Sequence, residues 1–290
     1  SLVRASRKQP GGGTLDFMWA GLDLRMAASG AQLGGLVTGA TGTLGQQLPG
    51  LAQAPWTRID FSNDNDFTGE ASSTGWAAKL GAVYRPMPTL TLGASYQFES
   101  ALDDMETSAN GASLSAAGGF VDYGRITVVD FQWPSTMAIG MAWQATPAVL
   151  LAADFKRIGW SSVMKDFKMR YDSAGTTNPG LSGSVSLALP QNWDDQDVIN
   201  LGIAWAVNEA LTLRAGANLS DNPIPDAYVN PLFPATVEDH YTLGFGYRFS
   251  PAHELNASMT IAPESKVTNG QGVVVTHEQM NFQFMYSYRF

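Results

Sequence analysis

The chain has 290 residues, with 17 Lys and Arg against 26 Asp and Glu, a net charge of −9, 44 % hydrophobic and 15 % charged residues, and no cysteine. The acidic balance and the lack of a basic stripe exclude a nucleic-acid surface, which needs clustered cations, and the missing cysteines exclude disulfides and thiolate metal sites. No apolar run approaches the roughly 20 residues of a membrane-crossing helix. The apolar residues are dispersed, as in strands that show only every second side chain to lipid.

No linker or composition shift divides the chain, so it reads as one domain over residues 1–290, with 1–13 an unplaced N-terminal segment. Ser1 to Lys8 contains neither a start methionine nor an apolar signal core, which implies a removed signal or a fragment. Ten strands are predicted in chain order: 14–28, 67–86, 89–100, 125–145, 148–160, 195–207, 210–220, 237–249, 253–262 and 273–290. The warrant is period-two alternation. Leu90, Leu92, Ala94, Tyr96 and Phe98 alternate with Thr91, Gly93, Ser95, Gln97 and Glu99. Pro134 interrupts the fourth strand, which calls for a bulge or a start nearer residue 135. Leu211 to Leu219, Tyr241 to Phe249 and Leu255 to Ile261 repeat the pattern, and Met280, Phe282, Phe284, Tyr286, Tyr288 and Phe290 make an aromatic face on the last strand.

In these segments the polar face is rich in Gly, Ser, Thr, Asn and Gln rather than charge, and Trp and Tyr sit near strand ends. A soluble sandwich shows the opposite, an aliphatic inside and a charged outside. Short connections (85–88, 145–147, 207–210, 250–253) alternate with long ones (28–60, 101–125, 161–192, 221–236, 263–272). That is the plan of an all-β, antiparallel transmembrane β-barrel of a bacterial outer membrane, with the short turns periplasmic.

Several motifs recur in order. They are Gly75-Trp76 with Gly81 and Tyr84, Gly93 with Tyr96, Trp133-Pro134 with Gly140 and Trp160-Ser161, Trp193-Asp194-Asp195 before Val198 to Gly202, and Ser220-Asp221-Asn222-Pro223-Ile224-Pro225-Asp226. With the strands between them they resemble the FadL-type family (OmpP1/FadL/TodX) of outer-membrane transporters of long-chain fatty acids and hydrocarbons, over roughly residues 14–290. The resemblance implies a fourteen-stranded parent barrel with an N-terminal hatch, of which this chain would be an N-terminally truncated member lacking the hatch and about four strands. It implies passive transport of hydrophobic compounds by a monomer set in outer-membrane lipid and lipopolysaccharide, without cofactor or covalent step. A lipid-acting barrel enzyme and a structural or adhesion barrel are the alternative readings.

Candidate ligand residues fall in two groups. Leu33, Leu36, Leu44, Leu48 and Leu51 punctuate a Gly-, Thr- and Gln-rich loop. They read either as a capture patch for a hydrophobic ligand, which the resemblance favours, or as the hidden core of a self-packed loop. Lys79, Lys156 and Arg214 are lumen-facing with Arg85, Glu99, Asp154, Arg248 and Arg289. A cation there could meet a fatty-acid carboxylate, or could belong to an ion-pair network filling a polar lumen. Acidic clusters at Asp60, Asp64, Asp66 and Glu70, at Asp103, Asp104 and Glu106, and at Asp194, Asp195 and Asp197 lack calcium-loop spacing and read as solvated charge. His240, His253 and His277 have no metal spacing, and Gly39 to Gly45 lacks the Lys-Ser/Thr of a phosphate loop and reads as flexible. No catalytic residue and no metal site is expected.

Overall fold

The computed structural model describes residues 11–65, 67–230 and 236–289. These form an antiparallel sheet of nineteen strands. In chain order the elements are β1 (Gly11–Leu22), β2 (Leu24–Ala28), α1 (Gly30–Leu36), β3 (Val37–Ala40), α2 (Gly42–Leu51), β4 (Thr57–Phe61), β5 (Ala71–Met87) and β6 (Leu90–Gln97). There follow β7 (Ala101–Leu102), β8 (Met105–Glu106), β9 (Ala112–Ala116), β10 (Phe120–Val129), β11 (Thr136–Thr146), β12 (Val149–Ile158), α3 (Trp160–Val163), β13 (Asp166–Ser173) and β14 (Ser184–Pro190). The chain continues through β15 (Gln196–Ala206), β16 (Leu211–Ser220), a 3-10 turn (Asp226–Tyr228), β17 (His240–Ser250), β18 (His253–Thr268) and β19 (Val274–Tyr288).

One ladder runs β1–β5–β6–β11–β12–β15–β16–β17–β18–β19, each strand antiparallel to the next. Its middle strands are 10 or 11 residues long, close to the ~9–11 that a tilted strand needs to cross a bilayer. On β11, Met137, Ile139, Met141 and Trp143 share one face and are 42–53 % exposed. On β19, Phe284 is 75 % exposed. An apolar face of this extent is stable against lipid, not water. Tyr84, Trp143, Trp205, Tyr247 and Tyr288 stand exposed beside the short turns, where an interfacial aromatic belt belongs. The turns are locally determined: the Asn208 carboxamide oxygen accepts from Ala210 and Leu211 N–H at 2.9 and 2.8 Å, and the Thr146 hydroxyl accepts from Val149 N–H at 3.1 Å.

The opposite face of this ladder is polar. Asn200 donates to Asp154 at 2.8 Å and Asn218 donates to Asn200 at 2.6 Å, in a chain across β12, β15 and β16. Thr242 and Thr260 share a 2.8 Å bond between β17 and β18.

The expected count of ten strands is too low. Nine further strands lie within segments read as long connections or as parts of longer strands, and seven of them pair in the order β2–β4–β9–β10–β13–β14–β3 beyond the long-connection end of the ladder. Their alternation is present in the sequence, as in Ile126 and Val128, Met169 and Tyr171, and Val185 and Leu187. These side chains are buried against α1 and α2 rather than exposed to lipid.

Two predicted strands are each divided. The first breaks at Asp23, whose carboxylate accepts from Glu70 N–H at 2.6 Å and Ser62 Oγ at 2.9 Å. The fourth breaks at Pro134, and β11 starts at Thr136. Gly39 to Gly45 is no flexible loop: it ends β3 and begins α2, turning at Gly42 with φ of +66°. Of the unplaced segment 1–13, residues 11–13 belong to β1, while 1–10 and Phe290 lie outside the described residues. Among the described residues β1 pairs only with β5 and β19 only with β18.

Candidate functional site

A concave site lies in the second layer, apart from the wider hollows along the ladder. Ser29 begins α1 with a reciprocal cap: its hydroxyl accepts from Gln32 N–H at 3.2 Å, and Gln32 Oε1 accepts from Ser29 N–H at 3.0 Å. Gly30 N–H donates to Ala54 O at 2.9 Å, so α1 starts against the end of α2. A Cβ on Gly30 would stand 2.1 Å from Leu51 O. Only glycine allows this approach. At its other end α2 is held by the 180–184 segment: Thr43 Oγ1 donates to Gly180 O at 2.9 Å and accepts from Ser182 N–H at 2.8 Å.

Between this helix pair and the sheet lies a cavity of about 360 Å³. Leu33, Leu48 and Leu51 line it from the helices, and Ile59, Leu114, Tyr171, Val185 and Leu187 from β4, β9, β13 and β14. Leu44, with no exposed surface, and half-buried Leu36 belong to the core around it. The five leucines predicted as either a capture patch or a hidden core are thus a folded core with a hollow inside it. The volume falls in the ~300–1,000 Å³ range of small-molecule sites and exceeds the ~150 Å³ of an apolar hollow that takes up benzene.

Sequence reasoning missed the sheet half of the lining. Its signal was the period-two spacing of Val185 and Leu187, in a segment taken for loop. Among the described residues, Tyr171 is the only lining side chain with a hydroxyl. Its Oη donates to Asp122 Oδ2 at 2.8 Å. Burial, then the hydrogen bond and negative charge of Asp122, hold its phenol well above the ordinary tyrosine range, so it stays protonated.

The predicted cations are elsewhere. Lys79 on β5 stands opposite Gln97, and Lys156 on β12 opposite Ala138 and Val198. They are three strands apart, about 14 Å at the usual spacing, and no ion pair holds either among the described residues. Arg214 on β16 donates to Asn256 Oδ1 at 2.9 Å, in a group where Asn256 donates to Glu254 and Arg289 pairs with Glu254 at 3.8 Å. The structure therefore does not bring Lys79, Lys156 and Arg214 together, nor any of them to the leucine cavity. Parts of the acidic clusters meet cations: Arg25 pairs with Asp60 and Asp64, Arg125 with Glu106, and Arg157 with Asp195 and Asp197, while Asp66 lies outside the described residues. No group of three or more His, Asp or Glu is placed to hold a metal among the described residues.

A family model for outer membrane protein transport proteins (OMPP1/FadL/TodX) matches residues 17–288. The chain belongs to this family. It is accordingly a transport protein of the outer membrane, and its lipid-facing ladder is barrel wall. Among solved structures it is similar to the P. putida toluene transporter TodX, with a TM-score of 0.81 and 28 % identity over 99 % of this chain and 67 % of that one. The Ralstonia pickettii toluene transporter TbuX matches with a TM-score of 0.75 and 26 % identity over 98 % and 64 %. A Pseudomonas aeruginosa FadL homologue shares the fold at a TM-score of 0.63 and 15 % identity, over 98 % and 65 %. No curated protein gives a significant match.

Proposed function

We propose that this transport protein carries hydrophobic compounds, aromatic hydrocarbons or long-chain fatty acids, by binding and passive diffusion, and that the cavity under α1 and α2 is where they are first captured. The observation that carries the reading is the cavity itself: a hollow of about 360 Å³ with a mainly apolar lining, set in a folded layer beyond the membrane ladder. Leu33, Leu48 and Leu51 are its contact residues, and Leu36 and Leu44 support them. A hydrocarbon entering from water gains about 25 cal/mol per Å² of apolar surface buried, with no covalent step. Membership of a transport family and the likeness to two toluene transporters support the same reading. Lys79, Lys156 and Arg214 then act in the lumen, where a ligand with a charged head would pass.

The protein works as a monomer, its aromatic belts against outer-membrane lipid and lipopolysaccharide and the second layer outside the cell. β1 and β19 run in opposite directions, so an even number of further strands joins their free edges. Four would complete a fourteen-stranded barrel, and a hatch would plug it. The chain's span of about two thirds of the TodX structure supports that count. Strands left open in lipid would expose unpaired backbone groups.

The test is uptake of labelled toluene and oleate at limiting concentration by a strain lacking its own transporter, with the parent gene restored intact or carrying Leu33→Gln and Leu48→Gln. The intact gene restores uptake of at least one compound and the double variant loses most of it. Restoration of neither compound sinks the proposal.

A further inference from the structure

Asp122 has no exposed surface, yet no cation pairs with it among the described residues. Its Oδ2 accepts from Tyr171 Oη at 2.8 Å and its Oδ1 from Asn178 Nδ2 at 3.3 Å, while the same Asn178 amide donates to Val121 O at 2.7 Å. Tyr171 forms part of the cavity wall, so the carboxylate lies one phenol ring behind that wall. The ring end sits against β10. It packs over Gly124, where an added Cβ would stand 2.9 Å from both Cζ and Oη.

We propose that Asp122, acting through Tyr171, makes the cavity selective for neutral hydrocarbons and closes it to carboxylates. The proposal rests on the capture reading above and narrows its ligand class. Tyr171 spends its one proton on Asp122 Oδ2. That proton is not available to a second acceptor. Among the described residues, the rest of the lining offers no Lys, Arg or His. A ligand carboxylate would lose its water without gaining a partner, and it would also meet a like charge across one ring in a poorly screened interior. A methyl-substituted ring meets neither obstacle. The cations that could receive an acid head, Lys79 and Lys156, are on barrel-wall strands outside this cavity. The cavity and the lumen would therefore discriminate differently.

Toluene and benzoate separate the two cases, being close in shape and different in charge at neutral pH. The chain in detergent, labelled at leucine methyls, is titrated with each, and the Leu33 and Leu51 methyl shifts report this cavity alone. Toluene shifts them. Asp122→Asn removes the charge and lets an amide N–H face Tyr171 Oη, which frees the hydroxyl proton for another acceptor. Benzoate binding then strengthens at least tenfold, about 1.4 kcal/mol, while toluene changes less than twofold. Tyr171→Phe keeps the charge and loses the hydroxyl, and benzoate stays excluded. The second variant decides the matter if the first does not fold. Benzoate binding unchanged in Asp122→Asn, or admitted as readily by Tyr171→Phe, overturns the proposal. Failure of toluene to move the methyls in the unaltered chain overturns the capture reading, and this proposal with it.

Discussion

The crossing of α1 over the end of α2 is the joint on which the cavity depends, and a pair of identical substitutions tests it. In Gly30→Ala the new Cβ would stand 2.1 Å from Leu51 O and 2.8 Å from Ala54 O, both backbone atoms that no side-chain rotation can clear. The first is more than an ångström short of ordinary contact. Overpacking of this kind costs about 1–3 kcal/mol, and relief would move α1 off the Leu51 wall. In Gly35→Ala, on the same helix, the added Cβ meets nothing within 4 Å. Helix propensity there favours alanine by up to about 1 kcal/mol. Hydrogen exchange of the 30–54 amides reads both. Gly30→Ala should speed exchange by about fivefold to a hundredfold and weaken toluene binding, while Gly35→Ala leaves exchange unchanged or slows it. Equal behaviour of the two variants would show that the close approach does not hold the cavity, and the account of the site would fail at its base.

Leu44→Ala, at a side chain with no exposed surface, should destabilise the second layer by about 2–5 kcal/mol, and half-buried Leu36→Ala by clearly less; denaturant titration followed by exchange of the 30–54 amides measures both. The Asp195 carboxyl is held below the ordinary carboxylate range first by the Ser161 hydroxyl, at 2.6 Å, and then by Ser161 N–H and Arg157. Its contribution is therefore present above the unfolded value near 3.9 and is lost as pH falls through the depressed folded value. Ser161→Ala should shift that loss to higher pH, read as exchange at residues 160–163 against pH; an unshifted profile removes Ser161 as the cause. In the 290-residue chain refolded in detergent, the outward amides of β1 and β19 should exchange faster than those of β12 and β15, and a longer parent supplying the neighbouring strands should slow them. Uniform protection in the 290-residue chain would argue against free edges.

Much of the barrel wall was legible because its rule is local. Alternation from Leu90 to Phe98 or from Met280 to Tyr288 needs only the neighbouring residues to be read, and Pro134 and Asn208 punctuate it for reasons that act within a few positions. The same rule misled in the long connections. Val185 and Leu187 alternate as the wall strands do, but they lie within 161–192, expected as a long connection, and two alternating positions are too few to mark a strand there.

By itself the sequence determined that strands cross a membrane, which face meets lipid and where the chain turns, since a side chain's face in a strand follows from its parity alone. Only the tertiary structure decided what the second layer does. The cavity brings Leu33, Leu114, Tyr171 and Val185 together from four separate stretches of chain, and the Asp122–Tyr171 bond spans 49 positions. No periodicity carries such a meeting. It arises because α1 and α2, whose apolar sides cannot remain in water, close over the apolar sheet face that lies beyond the membrane ladder.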